Sequence, residues 1–541
     1  MSRRPSTATA TIRVSDLPPP ANNGVKDRVP LLLAEAERAS EATAQCLATS
    51  TSSVYRQRCF GFGPLGASLV TSAGVLTALF FMHLSLEGLA VHGTLKVSIH
   101  SGKIKLVATK LTPVQSQVVH RHGDRTPITP LADSEYWASL LPSDDRLAET
   151  GQYTNIIRTP GVKHHVAGGG NIFGRLTETG LEQMVRVGSI LRDDVARLMT
   201  ATNMQEKESA DPNAWLKVAS TDFSRTLQSV QGVLVGMLSQ VENESLRAAS
   251  HPRKINIDAR HTNRMIPDPQ PRLYVGQAQL KQELQLSEAF QEREQKMRPL
   301  ATRVTWELKQ SGILGKEAEG VVFGVGEDGS APGDREGLRL PWNQLAEILK
   351  CLEKRQRLPR SLARDLNAVK DVAEHNAWRW FALLSDSRLG PMAIKSMAKK
   401  MVKNGSEAIL SWTEGDGGDR RWTGAPLMHI FSGHDATLIS LMCAFKIERP
   451  AVWPEYGSFL KMEVYRDDSG MCNSGAIDSC VIETGVSSDE GRFFVLFSLN
   501  GEALRSAFGA EQDALLRYFV PWEKVVEGMD GMEFGLPPLA V

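Results

Sequence analysis

Three short segments of the chain combine histidine, arginine and aspartate at the ends of predicted β-strands. The first reads His-Arg-His-Gly-Asp-Arg-Thr-Pro from residue 120, so that His122 lies between Arg121 and Arg125. It ends a stretch from 114 onward in which apolar and polar residues alternate, a pattern typical of a half-buried strand. Because guanidinium groups match the oxygens of a tetrahedral dianion, two arginines beside a histidine indicate a phosphate site.

The other two segments extend this pattern. Residues 221–226 read Thr-Asp-Phe-Ser-Arg-Thr and add Arg225, and residues 432–437 read Ser-Gly-His-Asp-Ala-Thr and add His434 and Asp435. Each follows a predicted strand and opens a predicted helix, where ligands of open α/β sheets bind and where the helix N-terminus favours an anion. Three arginines in one pocket repel one another unless an anionic ligand is present. We therefore predict that three strand ends meet around one phosphate group.

The order of these motifs resembles that of the histidine acid phosphatases, branch 2 of the histidine phosphatase superfamily. Residues 121–127 are similar to the family's R-H-G-x-R-x-P motif, and residues 434–435 are similar to its H-D pair. The further similar stretches, in chain order, are 174–180, 221–226 and 453–458. The helical block and the late strands look most like the lysophosphatidic acid phosphatase (type six) group, and the layout of the N-terminal segment is also similar to that of the membrane-anchored phosphoxylose phosphatase.

This resemblance implies hydrolysis of phosphate monoesters through a phosphohistidine intermediate. His122 would attack phosphorus, and Asp435 would protonate the leaving alcohol and then help to activate water. The groups that would hold the phosphate oxygens are Arg121, Arg125, Arg225 and His434. No metal or other cofactor enters this mechanism, because the arginines supply the positive charge. A phosphate beside Asp435 should keep its carboxyl protonated at low pH, so we expect an acidic optimum. The substrate could be a lipid phosphate or a phosphosugar.

Two alternative functions compete with this one. His120 and His122 lie two residues apart on a strand and could share one face, which with the His-Asp pair would suit a metal-dependent phosphohydrolase but would leave the arginines without a role. The chain could also be a catalytically silent ectodomain that acts as a binding scaffold. The presence of every expected catalytic side chain argues against the scaffold.

Three further residues near the motifs are predicted to be structural. Asp124 should pair with a nearby arginine. His429 alternates with Phe431 along a strand and should pack in the core. Gly123 should let the backbone turn and approach a ligand.

Around the motifs, predicted strands alternate with predicted helices. Strand patterns end at Ser220, Phe431, Tyr465 and Phe497, and helical stripes cover 181–191 and 227–238. This alternation predicts an α/β fold with a mostly parallel central sheet flanked by helices, like that of the phosphoglycerate mutases. The α/β core is assigned to residues 105–250 and 405–541. The mainly helical segment 251–404 is predicted to be an inserted cap.

The N-terminal region predicts one membrane anchor. Residues 60–86 contain no charged side chain over 27 positions, whereas ~20 apolar residues suffice to cross a bilayer. Arg56 and Arg58 precede this segment, and Lys/Arg excess marks the cytoplasmic side. We expect a disordered cytosolic tail over 1–58, a signal anchor, and a type II protein of the secretory pathway with a lumenal or extracellular catalytic domain. The mitochondrial inner membrane is the alternative, because the tail is rich in arginine and serine.

Composition excludes other classes of protein. The 541 residues carry no net charge, which argues against a nucleic-acid partner, and six cysteines are too few for a disulfide scaffold. Cys472 and Cys480 could close a local disulfide in an oxidising lumen. Asn243 and Asn404 lie in N-x-S sequons and would be glycosylated if the lumenal topology is correct.

Overall fold

The computed structural model describes residues 93–100, 103–160, 172–202, 211–238, 254–260, 262–267, 275–314, 339–414, 420–422, 424–448, 452–467, 493–509 and 518–531. The chain divides into two units, one ending at Leu111 and one beginning at Thr112. In the first unit, β1 (Gly93–His100) pairs antiparallel with residues 103–110 of β2 (Lys103–Arg121). All three motif segments belong to the second unit.

The second unit is built on a sheet with a parallel centre. Its other strands are β3 (Thr154–Ile157), β4 (Leu216–Ser220), β5 (Ile255–Asp258), β8 (Met428–Gly433), β9 (Ile447–Glu448), β10 (Phe459–Asp467), β11 (Phe493–Leu499), β12 (Glu502–Ser506) and β13 (Phe519–Pro521), while β6 (Trp412–Glu414) and β7 (Arg420–Trp422) form a separate pair. The strand order is β3-β5-β4-β8-β2-β10-β11-β12-β9. Strands β3, β5, β4, β8 and β2 pair in parallel, and β10, β11, β12 and β9 pair antiparallel with one another.

Helices cover both faces of this sheet. The helices are α1 (Ser134–Ser139), α2 (Asp144–Gly151), α3 (Glu178–Thr202), α4 (Pro212–Trp215), α5 (Ser224–Leu238), α6 (Thr262–Met265), α7 (Val275–Gln285), α8 (Glu288–Gln310), α9 (Trp342–Glu353), α10 (Arg360–Arg364), α11 (Leu366–Leu384), α12 (Leu389–Leu410), α13 (Asp435–Ala444) and α14 (Trp522–Asp530). Val118 and Ile430 pack in one hydrophobic cluster with α3 and α5. Their strand neighbours Val119 and Phe431 pack in another with α12, α13 and α14, because successive side chains of a strand point to opposite faces.

Coverage on both faces explains the composition of the central strands. Every residue of β8 is buried, so this strand has no exposed face that polar residues would occupy, as expected for a parallel sheet under two helical layers. The predicted α/β fold with a mostly parallel central sheet is confirmed.

The helical insertion has different limits from those predicted from the sequence. Helices α8, α9 and α11 share one hydrophobic cluster, which also takes in Leu131, Trp137 and Phe173. Strand β5, however, pairs with β3 and β4 in the main sheet, so the boundary at 251 falls too early. At the other end, α12 contributes Ile394, Met397 and Met401 to the cluster that packs on the sheet. The predicted cap, 251–404, therefore includes a strand and a helix that pack with the core.

Asn404 cannot carry a glycan in this fold, which corrects the prediction from its sequon. The residue lies in the middle of α12 and is 6% exposed. Its amide donates to Gln117 Oε1 over 3.1 Å, and it is 3.3 Å from His429 Nδ1. A glycan on this nitrogen would require the buried network to open.

Several other predictions fall on residues outside the described ranges. These are the tail 1–58, the anchor 60–86, the sequon at Asn243 and the pair Cys472 and Cys480. Among the residues that the structure describes, no helix is both long enough and apolar enough to cross a bilayer.

Candidate active site

A cavity of about 310 Å³ lies where the carboxyl ends of β2, β4 and β8 meet. The six predicted site residues all line it, namely Arg121, His122, Arg125, Arg225, His434 and Asp435. Each strand supplies one segment: β2 ends at Arg121, β4 ends just before Thr221, and β8 ends at Gly433. The structure thus brings together side chains that lie more than 300 residues apart in the sequence.

The loop after β2 is held by close backbone packing. A methyl group added to Gly123 would overlap the carbonyl of Gly180, and one added to Gly180 would overlap the carbonyl of Asp124. Gly123 N–H also donates to Ser229 Oγ over 3.0 Å. Gly123 is therefore needed for contact with the start of α3, and its approach to a ligand stays a prediction. This contact also gives the stretch 174–180 a structural role, because Gly180 packs directly against the first motif.

Asp124 is a buried anchor for the same loop. Its carboxylate lies 2.6 Å from Arg355 Nη2 and 3.3 Å from Lys354 Nζ. It also accepts a hydrogen bond of 2.7 Å from the Thr177 hydroxyl. The predicted structural pairing with an arginine is confirmed, and Arg355 follows α9 of the helical insertion.

His122 is a neutral imidazole with one unprotonated nitrogen. Its Nδ1 lies 2.9 Å from the carbonyl oxygen of Gly123; since a carbonyl only accepts, Nδ1 carries the proton and Nε2 keeps its lone pair. Burial first, and then the charges of Arg225 and Arg121, hold the pKa of His122 well below its ordinary value. The side chain therefore has the protonation state that a nucleophile needs.

Two of the three arginines already have carboxylate partners. Arg121 Nη2 lies 2.8 Å from Asp435 Oδ2, and Arg121 Nη1 donates to the carbonyl of Pro454 over 2.6 Å. Arg125 Nη1 lies 2.6 Å from Glu347 Oε1. These ion pairs reduce the mutual repulsion that three neighbouring guanidinium groups would otherwise have.

Arg225 differs from the other two arginines. It is buried at the start of α5, and its Nε and Nη1 have no hydrogen-bond partner in the described part of the chain. Its guanidinium carbon lies 4.6 Å from the centre of the Phe223 ring. Burial, followed by repulsion from Arg125, lowers the pKa of Arg225 to about 9. An anion in the cavity would satisfy these donors and reverse that shift.

Asp435 is an ionised partner of Arg121 in the unliganded site. Burial acts to raise the pKa of its carboxyl, but the charge of Arg121 and the hydrogen bond from the Ala436 N–H outweigh burial, and the pKa lies below its ordinary value of 3.8. Oδ2 accepts a hydrogen bond of 3.2 Å from Trp453 Nε1, and Oδ1 accepts one of 2.8 Å from the Ala436 N–H. The ionised form is favoured before substrate binds, and the protonation predicted from the sequence concerns the site with a phosphate beside Asp435.

His434 completes the floor of the cavity. Its Nε2 lies 3.1 Å from Thr221 Oγ1, and that hydroxyl lies 2.8 Å from Thr226 Oγ1. Its ring centre is 5.6 Å from that of His122. Burial and the charge of Arg225 keep the pKa of His434 well below its ordinary value, so both histidines of the cavity are neutral.

The metal alternative receives no geometric support from His120. This residue is fully buried and is absent from the lining of the cavity. Its Nδ1 lies 3.1 Å from the carbonyl oxygen of Arg121, and burial lowers its pKa to about 4. Within the described ranges, no three His, Cys, Asp or Glu side chains come together as a metal site.

Sequence reasoning missed several residues that line the cavity. The ring of Tyr456 lies 4.1 Å below the Arg121 guanidinium carbon and 5.8 Å from the His122 ring. Trp453 holds Asp435, and both aromatic residues belong to the stretch 453–458, which carried a signal through the resemblance. Glu347 lies on α9, where an ordinary amphipathic pattern gave no sign of a role at the site.

Comparison with known proteins gives one family match. Residues 114–304, which contain the first two motif segments, match the model of the family described as "Histidine phosphatase superfamily (branch 2)". This match agrees with the family predicted from the motifs, while placement of the chain in the lysophosphatidic acid phosphatase group stays a prediction. No curated protein sequence matches the chain.

Solved structures similar to this chain include bacterial phytases. Citrobacter braakii phytase is 13% identical with a TM-score of 0.47, covering 78% of this chain and 98% of its own. Hafnia alvei phytase in its apo form is 12% identical with a TM-score of 0.45, covering 79% and 99%. Bifidobacterium longum multiple inositol polyphosphate phosphatase in complex with phosphate is 10% identical with a TM-score of 0.44, covering 77% and 92%.

Proposed function

We propose that the protein is a membrane-anchored acid phosphatase that hydrolyses phosphate monoesters through a phosphohistidine on His122. The observation that carries this proposal is the position of His122, which lines a cavity with three arginines while its Nδ1 faces the Gly123 carbonyl, an arrangement that leaves Nε2 as the nucleophile. A neutral imidazole next to guanidinium groups suits attack on a phosphoryl group, because the arginines bind the charge that the imidazole must approach.

In the first step, His122 Nε2 forms a bond to phosphorus as the bond from phosphorus to the ester oxygen breaks. Asp435 donates its proton to the departing oxygen, so that an alcohol leaves. In the second step, Asp435 accepts a proton from water, the water oxygen bonds to phosphorus, and the N–P bond breaks to give inorganic phosphate. Arg121, Arg125 and Arg225, with His434, hold the phosphoryl oxygens throughout.

Substrate binding favours the protonated form of Asp435, which takes its proton from solvent. Phosphate oxygens compete with Asp435 for the Arg121 guanidinium, which lies 2.8 Å from the carboxylate in the unliganded site. When Arg121 turns to the phosphate, Asp435 loses its cationic partner and gains an anionic neighbour, and both changes raise the pKa of the carboxyl. The proton donor is then populated at low pH, which gives an acidic optimum.

Hydrolysis of p-nitrophenyl phosphate by the full-length chain in nonionic detergent tests this function. Activity should be highest at acidic pH, should persist in EDTA, and should fall by at least about 10³-fold in His122→Ala. Thermal unfolding of the variant controls for its folding. Loss of activity in EDTA would favour the metal-dependent alternative, and a folded but inactive wild-type chain would favour the scaffold.

The membrane location is a separate part of the proposal. Its support is the uncharged segment 60–86 with Arg56 and Arg58 before it, which favours a type II protein of the secretory pathway. Protease protection of sealed microsomes, with an epitope at either terminus, tests it. Protection of the C-terminus alone is expected, whereas import into mitochondria would support the inner-membrane alternative. A lipid phosphate or a phosphosugar remains the proposed substrate.

A further inference from the structure

The cavity holds nearly as many carboxylates as cations. Each of three cations is paired with a carboxylate that also lines the cavity: Arg121 with Asp435 at 2.8 Å, Arg125 with Glu347 at 2.6 Å, and Lys350 with Glu455 at 2.7 Å. Among the described residues that line the cavity, Arg225 is the one cation without a carboxylate partner. Four cations against three carboxylates leave a single net positive charge.

The other described residues that line the cavity carry no formal charge. Asn343 and Asn376 supply neutral amides. The larger apolar side chains are Ile128, Phe223, Ile266, Trp380 and Trp453. The described wall therefore has cations for one phosphoryl group and mostly apolar or neutral surface for the alcohol that leaves.

Glu347 is the carboxylate whose position is most firmly fixed. It projects from α9 of the helical insertion, and its side chain is 12% exposed. One oxygen accepts from Arg125 Nη1 at 2.6 Å and also from the Ile128 N–H at 2.7 Å. Because both donors belong to the loop that follows β2, the negative charge is held beside the phosphate site and cannot turn away to solvent.

We propose that Glu347 makes the cavity selective for monoesters whose leaving group carries no second anionic group. This inference rests on the proposed phosphatase function and names its substrate class. A second phosphate on the leaving group would meet the fixed carboxylate of Glu347 at short range instead of a spare cation. Repulsion between like charges in a partly desolvated cavity weakens binding far more than it does in water.

The test compares two substrates that differ by one phosphate. Inorganic phosphate release from glucose 6-phosphate and from glucose 1,6-bisphosphate is measured with the full-length wild-type chain, Glu347→Gln and the control Glu353→Gln. Glutamine keeps an oxygen for the Ile128 N–H and for Arg125 Nη1, but it removes the negative charge and with it the ion pair to Arg125. Glu353 is exposed on the same helix and does not line the cavity.

Wild type should show a kcat/KM for the monophosphate at least about tenfold above that for the bisphosphate. Glu347→Gln should narrow this ratio by about threefold or more through a gain on the bisphosphate, and Glu353→Gln should leave the ratio unchanged. Equal wild-type values, or a ratio that Glu347→Gln does not change, would overturn the inference.

Two further readouts keep the result unambiguous. If Glu347→Gln does not fold, Glu347→Asp is used instead; it keeps the charge and should retain the wild-type ratio of the two kcat/KM values. The comparison of the two substrates with the wild-type chain then decides whether the selectivity exists. A chain that releases phosphate from neither sugar nor from p-nitrophenyl phosphate would contradict the proposed function itself. A chain active on p-nitrophenyl phosphate that prefers the bisphosphate would contradict only the selectivity.

Discussion

Asp435 is the residue whose charge depends most directly on its partner. The pKa of its carboxyl lies below 3.8 because the charge of Arg121 and the hydrogen bond from the Ala436 N–H outweigh burial. A carboxyl with a lower pKa in the folded than in the unfolded chain stabilises the fold above the unfolded pKa, and this contribution disappears as the pH falls through the folded pKa.

We therefore expect Asp435→Asn to lower the unfolding temperature at neutral pH in the absence of phosphate. The difference from wild type should shrink below about pH 4 and vanish once the wild-type carboxyl is protonated. Thermal unfolding at about pH 7, 5 and 3 measures it, with the exposed Asp371→Asn as control. A difference that stays constant over this range would show that the Arg121–Asp435 pair does not stabilise the fold.

At the scale of elements, the contact between the loop after β2 and the start of α3 positions the chemistry. Gly180→Ala would drive a methyl group into the carbonyl of Asp124, next to Arg125. We expect a loss of about 1–3 kcal/mol in the free energy of unfolding, typical of overpacking, together with a fall in kcat. Gly151→Ala is the matched control, since its methyl would meet only the flexible Gln231 side chain. Equal effects of the two changes on unfolding temperature and on kcat would contradict this role for the contact.

The same scale shows what the sequence could and could not reveal. His122, Arg225 and His434 were predictable because each follows a strand, and strand ends at one edge of a parallel sheet converge. Glu347 was not, because it meets Arg125 across 222 residues and comes from a helix whose spacing reflects only its own packing. The insertion boundary was misplaced for a similar reason: α12 has a helical pattern like its predecessors, and only its packing on the sheet separates it from them.

For the whole molecule, the insertion and the sheet are connected by buried ion pairs as well as by apolar contacts. Arg355 follows α9 and lies 2.6 Å from Asp124, which is 1% exposed. Removing Arg355 leaves the buried carboxylate of Asp124 with only Lys354, at 3.3 Å, as a cationic partner, so Arg355→Met should cost about 1.5–3 kcal/mol.

Denaturant unfolding of the full-length chain measures this cost. The double change Arg355→Met with Asp124→Asn should be less destabilised than the sum of the single changes. Arg303→Met, which removes an exposed pair with Asp365, should cost less than about 1 kcal/mol. If Arg355→Met costs no more than this control, the buried pair does not join the two parts.

The unsatisfied donors of Arg225 affect the stability of the folded protein as well as catalysis. A buried cation with two unpartnered nitrogens lowers the free energy of unfolding of the phosphate-free protein. Inorganic phosphate would bind these nitrogens in the folded state only, and would therefore raise that free energy. The reaction product would thus act as a folding ligand: at 100 times its dissociation constant it would add about 2.7 kcal/mol of stability. The amount of intact enzyme would then follow the phosphate concentration of its compartment, so that phosphate starvation would shorten the lifetime of the very protein that releases phosphate.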